Sequence, residues 1–238
     1  MFKIIIPMAG TSSRFKESGF TLPKYMLYKK NKSLFNLSVS SFKKYFDQET
    51  FIFICRDIFN TPLFIDEECK LLGIKFYEII MIDEITSGQA ETVKMGIEKS
   101  SITKSDSILI FNIDTIRKDI NLKENLLVND GFIEVFKGYG DNWSYAKTQS
   151  KNSLKVVEVA EKKKISNYCS TGLYYFKNVA DFLNSYDNSK FDLKEKYVAP
   201  LYNFLISNNK SIIVDVIDKS DVVFSGIPAE YYDLIKHK

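Results

Sequence analysis

A loop of small residues that ends in an arginine follows the first predicted strand, residues 3–7, of this chain. The members of the loop are Met8, Ala9, Gly10, Thr11, Ser12, Ser13 and Arg14. Small side chains let a ligand approach the backbone closely, and successive N–H groups of such a loop form an anion-binding concavity. The segment contains neither GxGxxG nor GxxxxGK[ST], so the dinucleotide and P-loop interpretations are weak. An ordinary polar connection between strand and helix is the alternative.

A lysine follows ten residues after this arginine, in the segment Pro23-Lys24-Tyr25. Arginine binds phosphate oxygens in a bidentate manner, and lysine supplies a mobile point charge. Arg14 and Lys24 together therefore suit a polyphosphate, whereas either residue alone is more often a surface charge.

Two further polar segments occur in the first half of the chain. Gly88 allows a close approach of the backbone, and Gln89 offers an amide that suits the edge of a nucleobase; the alternative is a helix capped by Ser87-Gly88. Asp114 ends the apolar run 108–113 and is a candidate metal ligand, although an aspartate in this position is more often a turn former.

The elements that must position these residues alternate in type through the first half, as in βαβ units with a largely parallel sheet. Strands are predicted at 3–7, 51–55, 75–81 and 107–111, and helices at 34–46, 62–72 and 89–99. Further along, antiparallel strands are predicted at 131–137, 144–148, 155–161 and 171–176, then helices at 179–185 and 193–207, strands at 211–217 and 221–224, and a helix from Pro228. We expect one domain with two continuous halves, 1–115 and 116–238.

The composition excludes several kinds of chemistry. The single histidine, His237, lies next to the last residue, so neither a buried imidazole base nor a His-rich zinc site is supported. Cys55, Cys69 and Cys169 form no CxxC pair, which indicates a reduced, cytoplasmic protein. The net charge of +3 is too small to indicate nucleic-acid binding. No apolar run approaches the roughly 20 residues of a membrane span.

The loop ending in Arg14 and the Pro-Lys segment resemble those of the sugar-phosphate nucleotidyltransferase family, the pyrophosphorylases that make nucleoside-diphosphate sugars. The segments 86–92 and 108–114 extend this resemblance through the first half. It implies a Rossmann-like, GT-A type α/β fold: a three-layer sandwich with a mixed, mainly parallel central sheet. It also implies that residues 1–115 bind the nucleotide and residues 116–238 the acceptor.

The resemblance implies a role for each candidate residue. Arg14 and Lys24 are the catalytic cations on the triphosphate, residues 8–13 with Gly88 and Gln89 bind the nucleotide, and Asp114 holds Mg²⁺. In the second half, Glu161 and Lys162 and the strand residues Thr171 and Gly172 bind the acceptor, with Lys162 on its phosphate; a solvated turn is the alternative for the lysines 162–164. The segment 195–203 resembles a helix start of capsule-associated relatives and implies a role in surface polysaccharide synthesis.

The chain departs from the family pattern at two places. Phe224 stands where many relatives have the aspartate of an Asp-x-Gly-Thr-Pro segment, a second metal ligand. Lys163 replaces the usual proline after the Glu-Lys pair, which makes a sugar 1-phosphate acceptor less certain.

These observations predict transfer of a nucleoside monophosphate from a nucleoside triphosphate, CTP or UTP/dTTP, to a phosphorylated small molecule, with release of pyrophosphate. A sugar 1-phosphate is the first acceptor candidate, and a phosphorylated amino acid or polyol is the second. A non-catalytic nucleotide-binding module is the alternative of another class. A glycosyltransferase is disfavoured, because no Asp-x-Asp occurs in the chain. The sequence leaves the oligomeric state open.

Overall fold

The computed structural model describes residues 1–191 and 194–236. Its strands are β1 (Lys3–Pro7), β2 (Tyr28–Lys29), β3 (Lys32–Ser33), β4 (Thr50–Cys55), β5 (Phe76–Met81), β6 (Ile108–Phe111), β7 (Thr115–Arg117), β8 (Gly131–Lys137), β9 (Ser144–Thr148), β10 (Val156–Glu161), β11 (Tyr168–Phe176), β12 (Ile212–Ile217) and β13 (Val222–Phe224). Its α-helices are α1 (Ser13–Glu17), α2 (Leu34–Val39), α3 (Thr61–Leu72), α4 (Gln89–Lys99), α5 (Glu124–Leu127), α6 (Val179–Asn188), α7 (Tyr202–Ser207) and α8 (Pro228–Lys236).

Among the described residues, nine strands form one sheet that runs through both halves of the chain. The path is β10-β9-β11-β6-β1-β4-β5, with β8 beside β11 and β12 beside β8. The strands β5, β4, β1 and β6 pair in parallel, whereas β11 runs antiparallel to both β6 and β8. The alternation of elements predicted an α/β fold with a largely parallel sheet, and the resemblance implied its Rossmann-like form; the structure confirms both.

The central strands are buried on both faces, which is why they read as continuous apolar runs. On one face Ile5 belongs to a core shared with α4, α6 and α7. On the other face Ile4 and Ile6 belong to a core with α2 and α3. Successive side chains of a strand point to opposite faces, so the isoleucines of β1 pack against the helices on both sides of the sheet. The helices and the sheet between them form three layers.

Two predicted helices are shorter in the structure. The helix predicted at 34–46 is α-helical only over α2 and then continues as a 3-10 helix, Ser40–Tyr45, with non-helical dihedral angles at Phe42. Ser38 donates from Oγ to the main-chain oxygen of Thr115, and Ser41 accepts from the N–H of Arg117, so contacts with β7 shape this turn.

The start predicted at Leu193 lies outside the described residues, and residues 194–198 are not helical. A 3-10 helix, Ala199–Leu201, precedes α7 instead. Pro200 has no N–H and is disfavoured inside a helix, so the helical region begins next to it.

Two short two-stranded sheets lie beside the main sheet. β2 pairs with β3, and β13 pairs antiparallel with β7, which brings Phe224 opposite Thr115. The C-terminal segment is therefore held next to Asp114. Cys55, Cys69 and Cys169 are free and buried, and no helix in the described parts of the chain is long and apolar enough to cross a membrane.

Candidate active site

A cleft of about 1460 Å³ lies at the carboxyl ends of β1 and β6. Parallel sheets bind ligands at this edge because the loops that leave neighbouring strands meet there. All of the candidate residues lie along its wall: Met8, Ala9, Gly10, Thr11, Ser12, Ser13, Arg14, Lys24, Gly88, Gln89, Asp114, Glu161, Lys162, Thr171 and Gly172. The fold thus brings residues of both halves to one cleft, and their individual roles stay predictions.

The loop after β1 is held by main-chain contacts. Met8 and Ala9 are buried, and the Met8 N–H donates to the Ile54 carbonyl at 2.8 Å, so these two residues present backbone rather than side chain. Ser12 has a φ of 52°, in the left-handed region, at the turn into α1. A Cβ on Gly10 would meet no protein atom within 4 Å, so the loop surface is open above this residue.

The two candidate cations differ in their surroundings. Lys24 Nζ lies 2.5 Å from Asp114 Oδ2, and the two side chains are 24% and 22% exposed. Within residues 1–191 and 194–236, Arg14 makes no salt bridge and no side-chain hydrogen bond, and it is exposed at the start of α1. Arg56, which sequence reasoning missed, donates from Nε to the Ala9 carbonyl at 2.9 Å and fixes the loop from behind.

Asn112, a second missed residue, joins the start of α4 to β11. Gln89 donates from Nε2 to Asn112 Oδ1, and the Asn112 N–H donates to the Gly172 carbonyl at 3.2 Å. Gly172 has a φ of 94°, and a Cβ there would lie 2.5 Å from Asn112 Nδ2. Only glycine fits this position. The apolar run 108–113 gave no signal for Asn112 beyond its being the one polar residue of the run.

The predicted cap of α4 takes a different form. Gly88 is the N-cap residue and has no side chain, and no side-chain cap forms there. Instead Glu91, in the first turn, accepts from the Ser87 N–H at 2.5 Å through Oε2. Glu91 thereby binds the residue that precedes the N-cap, and the Ala90 N–H, one of the free donors of the helix start, donates to the Lys196 carbonyl at 3.0 Å.

Glu161 and Lys162 line the cleft from the end of β10 and the residue after it. Burial raises the pKa of the Glu161 carboxyl, although a hydrogen bond from Ser144 opposes this shift. Lys162 has a left-handed backbone with a φ of 55°, and its N–H donates to the Trp143 carbonyl at 2.9 Å. The Lys162 ammonium donates to the hydroxyl of Tyr197 and lies 4.8 Å from the centre of that ring.

Thr171 is 1% exposed, and its hydroxyl is used beneath the cleft. It donates to Glu134 Oε1 at 2.8 Å, and the same carboxylate oxygen accepts from Arg117 Nε at 2.9 Å. Burial raises the pKa of Glu134, and the charge of Arg117 opposes that shift. Thr171 lines the cleft, so an acceptor-binding role for this residue stays a prediction. Its hydroxyl is bonded to Glu134 and does not point to an acceptor as a free donor.

Asp114, the candidate metal ligand, has the carboxylate of Glu230 near it. Among the described residues no group of three His, Cys, Asp or Glu side chains forms a metal site. Glu230 is a second carboxylate at this end: a Cβ on Gly226 would lie 2.9 Å from Asp114 Oδ2 and 3.7 Å from Glu230 Oε2. Mg²⁺ is commonly held by one or two carboxylates together with substrate phosphates, so Asp114 with Glu230 nearby fits such an ion.

Glu230 also has a local structural role. Its Oε2 accepts from the N–H groups of Gly226 at 2.8 Å and Ile227 at 3.3 Å. Burial raises the pKa of the Glu230 carboxyl, and the charge of Asp114 adds to this effect. Phe224 packs on Trp143 with ring centres 4.7 Å apart. His237 lies outside the described residues.

The chain is similar to the nucleoside-diphosphate-sugar pyrophosphorylase from Vibrio cholerae RC9, with 42% identity over 98% of this chain and 100% of that chain and a TM-score of 0.94. It is similar in fold to the inositol-1-phosphate CTP transferase from T. maritima, with 13% identity over 99% of this chain and 95% of that chain and a TM-score of 0.76.

A third similar structure is the UTP-bound UGPase from Acinetobacter baumannii, with 14% identity over 100% of this chain and 93% of that chain and a TM-score of 0.70. No protein-family model matches the chain, and no curated protein matches it.

Proposed function

The chain belongs to the nucleoside-diphosphate-sugar pyrophosphorylase family of nucleotidyltransferases, and we propose that it transfers a nucleoside monophosphate from a nucleoside triphosphate to a phosphorylated acceptor. The observation that carries the proposal is the composition of the cleft. Arg14, Lys24 and Asp114 line it from the first half of the chain, and Glu161 and Lys162 line it from the second half.

In the proposed reaction an oxygen of the acceptor phosphate attacks the α-phosphorus of the triphosphate. The bond between the α-phosphorus and the bridging oxygen breaks, and pyrophosphate leaves with the electron pair. The attacking phosphate is already an anion near neutral pH, so no general base is needed. This agrees with a cleft whose charged groups are lysines, an arginine and carboxylates, without a histidine among the described residues.

The residues of the cleft have to bring two polyanions together and stabilise the charge that builds on the leaving group. Arg14, exposed and without an internal partner among the described residues, is available for the departing phosphates. Lys24 exchanges its contact with Asp114 for the triphosphate, and Lys162 holds the acceptor phosphate. A bound Mg²⁺ would supply further neutralisation of phosphate charge, held by Asp114 with Glu230 as the neighbouring carboxylate.

We propose a pyrimidine nucleotide as the donor and a sugar 1-phosphate as the acceptor, in surface polysaccharide synthesis. The proposal includes both CTP and UTP because one of the similar structures is an inositol-1-phosphate CTP transferase and another is bound to UTP. Lys163 in place of the family's proline keeps a phosphorylated amino acid or polyol as the second candidate. We take the chain as one domain because a single sheet runs through both halves.

The test is release of pyrophosphate from CTP, UTP, dTTP, GTP and ATP with Mg²⁺, each paired with sugar 1-phosphates and with phosphorylated amino acids and polyols. We expect release with one pyrimidine nucleotide. Arg14→Ala and Asp114→Ala should each lower the rate about 10²- to 10³-fold without unfolding, as removal of a charge-stabilising group commonly does. Lys16→Ala, on the same short helix as Arg14 but outside the cleft, is the control and should keep the wild-type rate.

Wild-type rates in the Arg14 or Asp114 variant would contradict the assignment of these residues. Absence of release with every pair would contradict the enzymatic proposal and favour a nucleotide-binding module.

A further inference from the structure

The segment 194–197 contacts two parts of the cleft. One is the loop 86–90, which we call the nucleotide loop, and the other is Lys162, which we assign to the acceptor phosphate. Lys194, Glu195 and Tyr197 line the cleft, and the segment is not helical. Adjacent side chains make contacts in different halves of the site: Lys196 reaches Glu91 on α4, whereas Tyr197 reaches Lys162 after β10. The segment therefore touches both substrate regions through neighbouring residues.

The contact with the nucleotide loop begins with the main chain of Lys196. Its N–H donates to the Ser87 carbonyl at 2.8 Å, and its carbonyl accepts from the Ala90 N–H at 3.0 Å. Gly88 lies between these two bonds with a φ of 151°, and a Cβ there would be 2.5 Å from the Lys196 oxygen. The backbones of the segment and of the nucleotide loop are thus in direct contact. This contact leaves no room for a Cβ at position 88, so only glycine fits there.

The Lys196 side chain adds a second connection. Its Nζ lies 2.8 Å from Glu91 Oε1 and 2.8 Å from the Tyr186 hydroxyl. The other carboxylate oxygen of Glu91 accepts from the Ser87 N–H. Lys196 therefore acts on the nucleotide loop both directly and through Glu91, and the hydrogen bond with Glu91 raises the pKa of Lys196.

The contacts on the acceptor side run through Tyr197. Its hydroxyl donates to Glu195 Oε2 and accepts from the Lys162 ammonium. Lys162 Nζ also lies 3.9 Å from Glu195 Oε2. The cation that we assign to the acceptor phosphate is therefore held by the two residues that flank Lys196.

We propose that the segment 194–197 is a bridge that couples occupation of the nucleotide site to the position of Lys162, and that Lys196 is its positioning residue. The inference rests on the proposed function, since it requires that a nucleoside triphosphate binds at the loop 86–90. Binding there orders the loop, the loop fixes Lys196, and Tyr197 and Glu195 then set the direction in which Lys162 points.

A purely structural brace between α4 and the following segment would explain the same ion pair. It would lower thermal stability when removed, but it would not transmit nucleotide binding to the acceptor end. Exchange of backbone amide hydrogens distinguishes these two roles, because it reports the two ends of the bridge separately.

The experiment measures deuterium uptake in peptides covering 84–92 and 158–166, with and without whichever of CTP, UTP, dTTP, GTP or ATP, with Mg²⁺, stabilises the wild-type protein. In the wild type the nucleotide should slow exchange in both peptides. In Lys196→Met, at saturating nucleotide, the slowing should persist in 84–92 and be lost in 158–166. Lys196→Arg keeps the cation and should restore it.

Two further variants keep the test independent of folding. Tyr197→Phe removes only the hydroxyl that holds Lys162, so nucleotide affinity should stay at the wild-type value while the slowing in 158–166 is lost. Lys94→Met, which removes another cation near the Tyr186 ring but touches neither loop, is the matched control and should behave as the wild type.

Slowing in 158–166 that survives in both Lys196→Met and Tyr197→Phe would overturn the bridge and leave the proposed function standing. Absence of any nucleotide effect in the wild type would overturn the proposed function and the bridge together.

Discussion

Replacement of Glu91 by glutamine should destabilise the protein at neutral pH and destabilise it much less at acid pH. Glu91 accepts from Lys196 Nζ at 2.8 Å through Oε1 and from the Ser87 N–H at 2.5 Å through Oε2. Burial alone would raise the pKa of this carboxyl, but the hydrogen bonds from Lys196 and Ser87 outweigh it and lower the pKa from 4.5 to about 2. The ionised form is therefore stabilised in the folded protein.

The magnitude follows from this difference. A change from 4.5 to about 2 corresponds to about 3.4 kcal/mol, at about 1.36 kcal/mol for each pH unit. The Glu91 side chain is 23% exposed, so solvent screening reduces the contribution to about 1–2 kcal/mol. For a chain of this size, each kcal/mol shifts Tm by about 2–4 °C, so Glu91→Gln should lower Tm by about 2–8 °C at pH 7.

The sign of the pH dependence is fixed by the direction of the pKa shift. A carboxyl with a lowered pKa in the folded state contributes stability above its unfolded value of 4.5, and this contribution is lost as the pH falls toward about 2. The difference in Tm between wild type and variant should therefore shrink by about half or more between pH 7 and pH 3. Differential scanning calorimetry over this range measures it.

The control for this experiment is Glu98→Gln on the same helix. Glu98 pairs with Lys94, but its side chain is 51% exposed, so its loss should change stability by less than about 0.5 kcal/mol at any pH. An equal loss of Tm at pH 3 and pH 7 in Glu91→Gln, or none at pH 7, would refute the assignment of an ionised, paired carboxylate.

Three other substitutions test the surroundings of the cleft. Arg117→Met should cost about 3–5 kcal/mol in chemical denaturation, because it leaves the Glu134 carboxylate, 2% exposed, without its cation; a loss below about 1 kcal/mol would contradict this. Gly172→Ala should cost at least about 1–2 kcal/mol, since the φ of 94° and the Asn112 amide at 2.5 Å both oppose a Cβ; an unchanged Tm would contradict the close contact. Glu161→Gln should gain stability relative to the wild type as the pH rises above 4.5, because burial raises the pKa of Glu161 in the folded state and the cost of ionising it is then removed; a Tm difference that is constant between pH 4 and pH 7.5 would contradict it.

The strands of the main sheet could be predicted from the sequence because their signal is local, whereas the short strands β2, β3 and β7 were not predicted. β1, β8 and β9 begin and end at the predicted residues, since buried strands are apolar runs bounded by turn residues. Of the two helices that were predicted too long, one was shortened by a tertiary contact and one by a local signal that the prediction did not use. The helix predicted at 34–46 ends at Val39 because Ser38 and Ser41 bind the backbone of β7, about 75 residues away. Pro200 was a local signal against a helix through 193–207.

The residues of the candidate site also divide into those with a local sequence signal and those placed by distant segments. Arg14 and Lys24 stand in contiguous segments whose residue types already indicate phosphate binding. Asn112 and Glu230 could not be predicted, because each owes its place to a distant segment. Asn112 lies under Gly172 only because β11 pairs with β6, and Glu230 approaches Asp114 only because β13 pairs with β7.

The most direct test of the central claim is a thermal-shift titration of the wild-type protein with CTP, UTP, dTTP, GTP and ATP in the presence of Mg²⁺. A ligand at 100 times its dissociation constant stabilises the folded state by about 2.7 kcal/mol. We predict that one pyrimidine triphosphate raises Tm selectively, and that Arg14→Ala and Lys24→Ala lose this shift while Lys16→Ala keeps it. No shift with any triphosphate, or an undiminished shift in the Arg14 and Lys24 variants, would contradict the account of this cleft as the site of a nucleotidyltransferase.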